Sequence, residues 1–146
     1  MQKAILLGGL IALSAACQHE RDIAPDTATL AGELTGTYRT NGYLSIACIA
    51  LPDDKMPVAE ILTESDNEVT LVIRSFYPVA DVRVLNDVRL SRQPDNSVRL
   101  LRYNQPVGTF RTDRIFTDSG MEKQGQVLSV ASADGRDGLT FIGYKH

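Results

Sequence analysis

The chain of 146 residues contains no tryptophan, two histidines, two cysteines and only nine phenylalanines and tyrosines. Each shortage removes a class of chemistry. The histidines are His19 and His146, near opposite ends of the chain. A Ser-His-Asp or Cys-His arrangement inside a domain between them therefore lacks its base, and a zinc site built from His and Cys lacks ligands. Two cysteines make no disulfide framework. So few aromatic rings argue against a stacking site for sugars or bases. Net charge is −3 with no long basic run, which is poorly suited to neutralising phosphates, so no nucleic-acid partner is expected. No phosphate loop, dinucleotide fingerprint or EF-hand spacing occurs, and no cofactor or metal is expected. Asp134-Gly135-Arg136-Asp137-Gly138 lacks the later bidentate Glu of a calcium loop and reads as a turn.

Long apolar runs are missing too. Spanning hydrocarbon takes roughly 18 to 20 apolar residues. The thirteen residues Ala4–Ala16 stop at Cys17-Gln18-His19-Glu20-Arg21-Asp22 and reach only about 20 Å as a helix. Lys3 and the amino terminus ahead of Ala4–Leu13, followed by small residues, instead have the layout of a cleavable signal peptide. The stretch Leu13-Ser14-Ala15-Ala16-Cys17 resembles the lipobox of bacterial lipoproteins. That resemblance implies a diacylglycerol on the Cys17 thiol, cleavage after Ala16 and acylation of the new amino terminus. The family usually has Leu three residues before the cysteine; here Ser14 holds that place and Leu13 lies one further back. The alternative is an ordinary secretory signal that leaves Cys17 as a free thiol. One acyl chain binds a membrane reversibly, whereas two or three on one residue make the attachment effectively permanent. Gln18 after the cysteine implies, by the same resemblance, onward transport to the outer membrane, facing the periplasm or the cell surface.

Beyond residue 16, 130 residues carry 14 basic and 18 acidic side chains. The charges are unevenly spread. Residues 74–114 hold eight Arg, no Lys and four Asp, whereas residues 17–73 hold three basic and ten acidic side chains. Outward strand positions paired across a sheet with acids from elsewhere explain this better than a face for anionic ligands or lipid headgroups. Cys48 lies in the mostly apolar Tyr43–Leu51, with no His, Lys or Arg nearby in the sequence to activate it; it reads as a small buried hydrophobe. Carboxylate pairs are the one catalytic option composition leaves. Asp53-Asp54 and the group Glu60, Glu64 and Glu68 fall at or around turns, where acids are usually solvated. No catalytic residue is assigned, and the chain is read as a non-enzyme.

Residues 17–31 lack periodicity and read as a tether. From Gly32 to His146 apolar and polar residues alternate between turn signals, which predicts an all-β domain. The expected strands are Leu34–Thr40, Tyr43–Leu51, Val58–Leu62, a strong one around Val69–Arg74, a pair of runs over Asp81–Leu90 with a bulge at Leu85-Asn86, Val98–Tyr103, Val107–Thr112, a short Arg114–Thr117, Val127–Ser132 and Leu139–Tyr144. Asp118–Gly125 is expected to interrupt the pattern as one helical turn. Eight or nine short strands form an antiparallel meander that closes into a barrel or, alternatively, stacks as a β-sandwich.

Gly36-Thr37-Tyr38 and Leu139–Tyr144 resemble the first and last strands of lipocalin-like barrels, with Tyr38 in place of the tryptophan that plugs one end. The overall layout is similar to small lipoproteins of Bacteroidota. In such a barrel Leu71, Ile73, Val84, Leu100, Phe110, Val127 and Phe141 face inward and either fill the interior or line a pocket; eight strands are compatible with both. Two functions are carried forward. One is a lipid-anchored envelope protein whose barrel is a non-enzymatic interaction or structural module with an envelope protein as partner. The other is a lipocalin-like carrier of a small apolar ligand. Neither fixes an oligomeric state.

Overall fold

The computed structural model describes residues 29–131 and 138–146. They form a short helix, α1 (Leu30–Leu34), and eight strands: β1 (Gly36–Arg39), β2 (Val58–Thr63), β3 (Glu68–Ser75), β4 (Asp81–Arg92), β5 (Val98–Arg102), β6 (Gln105–Phe116), β7 (Glu122–Ala131) and β8 (Thr140–Lys145). Every strand pairs antiparallel with its sequence neighbour, and β8 returns to β1, closing a barrel and excluding the sandwich alternative. The segment expected to be a signal peptide, Cys17 and most of the expected tether lie outside the described residues.

Turn chemistry sets the corners. Tyr103 and Asn104 both have positive φ, 49° and 62°, the signature of a two-residue type I′ hairpin between β5 and β6. The sequence places a tight hairpin at Asn104-Gln105, between the expected strands Val98–Tyr103 and Val107–Thr112; the hairpin is present, with its turn one residue earlier at Tyr103-Asn104. Asp95 accepts from the Ser97 amide and hydroxyl at 3.1 and 2.6 Å, holding the β4–β5 turn.

Two bulges decide which residues face the core. In β4, Val69 pairs with Val88 but Leu71 with Leu85, so Asn86-Asp87 is an extra step, with Asp87 at φ 58°. Leu85 and Val88 both point inward although three apart. The expected bulge is therefore real, but the parity before it is the reverse of that expected: Leu85 faces in, and Val82 and Val84 face out, 59% and 49% exposed. In β6, the register slips between Leu100 and Leu101 of its partner, which lets Val107 and Phe110 both enter the core.

The interior is solid. Ile61, Val69, Leu71, Val98, Leu100 and Leu128 are 0% exposed, so no space that could hold a water molecule touches them. Helix α1 closes one end. Thr29 caps it by accepting from the Gly32 amide at 3.0 Å, a role suited to a β-hydroxyl at N-cap. Ala31 and Leu34 are fully buried in the same core. The Tyr38 hydroxyl, beneath them, donates to the Leu34 carbonyl at 2.6 Å, and Lys145 donates to the Glu33 carbonyl at 2.7 Å. Leu30 and Ala31, expected in the tether, thus belong to the barrel end, and Leu34 is helical rather than the start of β1.

Three other expectations change. Tyr43–Leu51 is not a strand: it runs as turns around a 3-10 turn at Ile46–Cys48. Leu44, Cys48 and Leu51 are its more covered apolar side chains, at nearly helical spacing, while Ile46 and Ile49 are 86% and 68% exposed. Short apolar runs fit either period. Arg114–Phe116 is the end of β6, and Asp118–Gly120 is a tight turn leading into β7 rather than a helical turn.

Truncating Leu100 to Ala should cost about 2–5 kcal/mol in urea unfolding, whereas Val84→Ala should cost less than about 1 kcal/mol; equal losses would contradict the assigned parity. Burial, with Glu33 nearby, pushes the Tyr38 hydroxyl well above its ordinary pKa. The folded state thus keeps a proton that the unfolded chain releases above about pH 10. The stabilising contribution is complete below that pH and falls as pH rises further. Tyr38→Phe should cost about 1–2 kcal/mol at neutral pH, with the gap to wild type narrowing above about pH 10.

Candidate functional site

The residues expected to face a ligand divide into three groups. Leu71, Ile73, Leu100, Phe110 and Phe141 are brought together inside the barrel, each at most 3% exposed. Phe110 meets Tyr38 edge-on, ring centroids 6.3 Å apart, one of the favoured geometries for aromatic pairs. Val84 is on the outer surface, for the parity reason given above. Val127 also faces outward, beside Arg111 and Tyr144 in the ladder. A carrier needs an enclosed apolar space of roughly 300 Å³ or more. The interior side chains leave none around themselves, so any ligand must meet the barrel from outside.

Val127 is covered there by the β1–β2 connection. Ile115, Val127 and Tyr144 are buried together, with Leu44 and Ile142 packed on them, as a second apolar cluster outside the barrel. Gly125 makes this possible: a Cβ on it would stand 2.5 Å from Ile115 Cδ1. Asn41, 5% exposed, ties the connection down. Its Oδ1 accepts from the amides of Tyr43 and Leu44, both at 3.1 Å. Its Nδ2 donates to the Phe116 carbonyl at 2.8 Å and to Asp118 at 3.2 Å. Tyr43 then lies against Phe116, centroids 5.8 Å apart. Asn41-Gly42, between the expected strands Leu34–Thr40 and Tyr43–Leu51, reads in the sequence only as a turn. Its part in joining residues 75 apart has no local signature.

Beside Leu44 the sheet carries a cleft of about 260 Å³, floored by Thr109, Val127, Ser129 and Ile142 and walled by Arg111, Asp113 and Arg114. Two further depressions share Arg111 and extend toward Asp95, Ser97 and Arg99. Arg111 is thus the centre of a groove crossing the outer face of β5, β6 and β7. Its guanidinium contacts Asp113 at 2.6 Å. The Arg114 amide donates to Asp113 at 2.8 Å and, with Arg111, holds that carboxyl below its ordinary range; Ser97 does the same for Asp95. Both acids stay ionised near neutral pH and offset the arginines. The groove therefore offers donors, acceptors and an apolar floor at Leu44, Val127 and Ile142, suited to binding a polar or amphipathic surface.

The arginine-rich stretch is accounted for largely by pairing. Arg74 meets Glu60 at 3.0 Å, Arg89 meets Glu68 at 3.4 Å and Arg114 meets Glu122 at 3.2 Å. Arg92 pairs with Glu33, and Arg83 with Asp81 at 2.8 Å. Arg102 lies 4.9 Å over the Tyr103 ring. Exposed pairs of this kind stabilise little, about 0–1 kcal/mol each. Glu60 and Glu68 are thereby engaged with different arginines rather than with each other. Asp53 and Asp54 are exposed in a 3-10 turn, and Cys48 is a buried free thiol, 3% exposed. His146 is exposed; His19 and, except for Gly138, the segment Asp134–Gly138 expected as a turn lie outside the described residues. Among the described residues no three His, Cys, Asp or Glu side chains gather as a metal site.

Compared with known protein families, curated proteins and solved structures, the chain has no match.

Asn41→Ala removes four hydrogen bonds that are partly buried. It should lower stability by about 2–4 kcal/mol and speed proteolysis between residues 42 and 57 more than elsewhere. Uniform cleavage along the chain would show that Asn41 does not hold the connection.

Proposed function

We propose that the chain is a lipid-anchored protein of the cell envelope, held at the outer membrane by acyl groups on Cys17. Its barrel serves as a non-enzymatic interaction or structural module. The observation that carries the anchor is the sequence itself: a short basic start, the apolar run Ala4–Leu13, and Ser14-Ala15-Ala16 ahead of Cys17. An apolar run of this length suits a cleavable signal rather than a membrane span. The observation that favours a module over a carrier is the packed interior, which leaves only the outer surface for recognition. On that surface the groove centred on Arg111 is the place where polar donors, ionised acids and apolar floor lie side by side. A module of this kind recognises by shape and hydrogen bonding rather than by engulfing its ligand.

In cells, the wild-type chain should carry acyl mass on an amino-terminal Cys17 and fractionate with the outer membrane. Cys17→Ser should lose the acyl mass, the cleavage after Ala16 and the outer-membrane location together. An unlabelled wild-type chain, or a variant that is still processed and sorted normally, would sink the proposal.

A further inference from the structure

Residues Phe76 to Ala80, joining β3 to β4, are Phe-Tyr-Pro-Val-Ala, and all five are exposed. Tyr77 is 64% and Val79 75% exposed, and the outward Val82 and Val84 continue the apolar surface along β4. Soluble surfaces seldom present so many consecutive apolar residues without a use. We infer that this hairpin tip is a membrane contact: Phe76, Tyr77 and Val79 insert among the headgroups and upper acyl chains of the bilayer that holds the Cys17 anchor. The inference rests on the lipid-anchor reading.

Three observations select a bilayer as the occupant. First, charge: the chain beyond residue 16, with 14 basic and 18 acidic side chains, is acidic, so anionic headgroups repel its charged faces and favour approach by an uncharged one. The tip itself is uncharged, Asp81 next to it is paired with Arg83 at 2.8 Å, and Arg74 at the end of β3 is paired with Glu60 at 3.0 Å. Second, chemistry: aromatic side chains with one polar end settle at the membrane interface, and Tyr77 beside Phe76 and Val79 supplies that combination. Third, reach: the twelve residues from Gln18 to Thr29 can span at most about 40 Å. Thr29 and α1 sit at the end of the barrel where β2 turns into β3, the Ala31 amide bonding to the Asp66 carbonyl at 3.1 Å, and the tip is at the opposite end of β3. Eight strand residues separate the two ends by about 26 Å, so a largely extended tether lets the tip reach the bilayer. The other uncharged exposed stretch, around Ile46 and Ile49, is already partly committed. Its neighbour Leu44 packs on the outer apolar cluster, Cys48 is buried, and Tyr43 lies against Phe116.

The absence of tryptophan makes the test direct. Tyr77→Trp, Val79→Trp and Ile46→Trp each place one indole in the otherwise tryptophan-free chain. Each variant is purified with its lipid and reconstituted into phosphatidylethanolamine–phosphatidylglycerol vesicles, with and without brominated acyl chains. Intact mass reports acylation in the same samples. The indoles at 77 and 79 should emit to the blue of the Ile46→Trp signal and lose the larger part of their emission to brominated lipid. Quenching at 46 equal to or greater than at 77 and 79 overturns the inference, as does no quenching anywhere. A blue shift without quenching also overturns it, because a second copy or another protein then covers the tip. A chain without acyl mass removes the anchor reading. The same variants added to preformed vesicles then decide the tip alone, quenching at 77 and 79 supporting it and its absence refuting it.

Discussion

Only two registered pairs, Tyr38 with Lys145 and Arg39 with Tyr144, join the first strand to the last, and the closed barrel depends on that seam. So short a ladder would open easily if it stood alone. It is reinforced by contacts that use the same residues. Tyr38 donates from beneath to the Leu34 carbonyl, Lys145 reaches the Glu33 carbonyl, and the His146 amide bonds to the Thr37 carbonyl at 3.1 Å. Helix α1 is thus both the plug of one end and the clamp on the seam. Five helical residues could not persist by themselves; burial of Ala31 and Leu34 holds them in place.

Once the seam is closed, the interior volume is fixed and must be filled from the inward row of each strand. The two bulges adjust those rows so that Leu85 and Val88, and Val107 and Phe110, all contribute. A solid centre then moves any binding to the outside. There the β1–β2 connection folds back to build a second apolar cluster and the wall of the Arg111 groove.

Much of the fold was legible in the sequence because alternation over five or more residues is a strong signal. The strands β2, β3, β5 and β8 lie close to where period-two patterning puts them, and the turns at Gln93–Asn96 and Glu64–Asn67 follow from residue type. What failed had physical reasons. Val82 and Val84 alternate as cleanly as a buried row, and only the register with β3 shows that Arg83 and Leu85 take the inner side. Tyr43–Leu51 is apolar enough for a strand, but Asn41 captures its first amides in a turn and sends it across the outer sheet. The candidate groove was not legible at all, since Leu44, Arg111 and Ser129 meet only through barrel closure and fold-back of the connection. The pairing of the arginines with distant acids was readable as a charge imbalance, though not pair by pair.

Closure also gives every described strand a partner on each side, although the ladders leave Asp81–Val88 of β4, Arg111–Phe116 of β6 and Glu122–Gln126 of β7 paired on one side at most. A sheet edge is a template on which another chain can add its own strand through backbone hydrogen bonds. On the proposed lipid anchor, copies would meet one another at high effective concentration, where such templating would favour uncontrolled association. Where the ladder is paired on both sides, the barrel can be recognised only through its side chains. Contacts there are set by residue identity, which point mutation can retune without disturbing the ladder beneath.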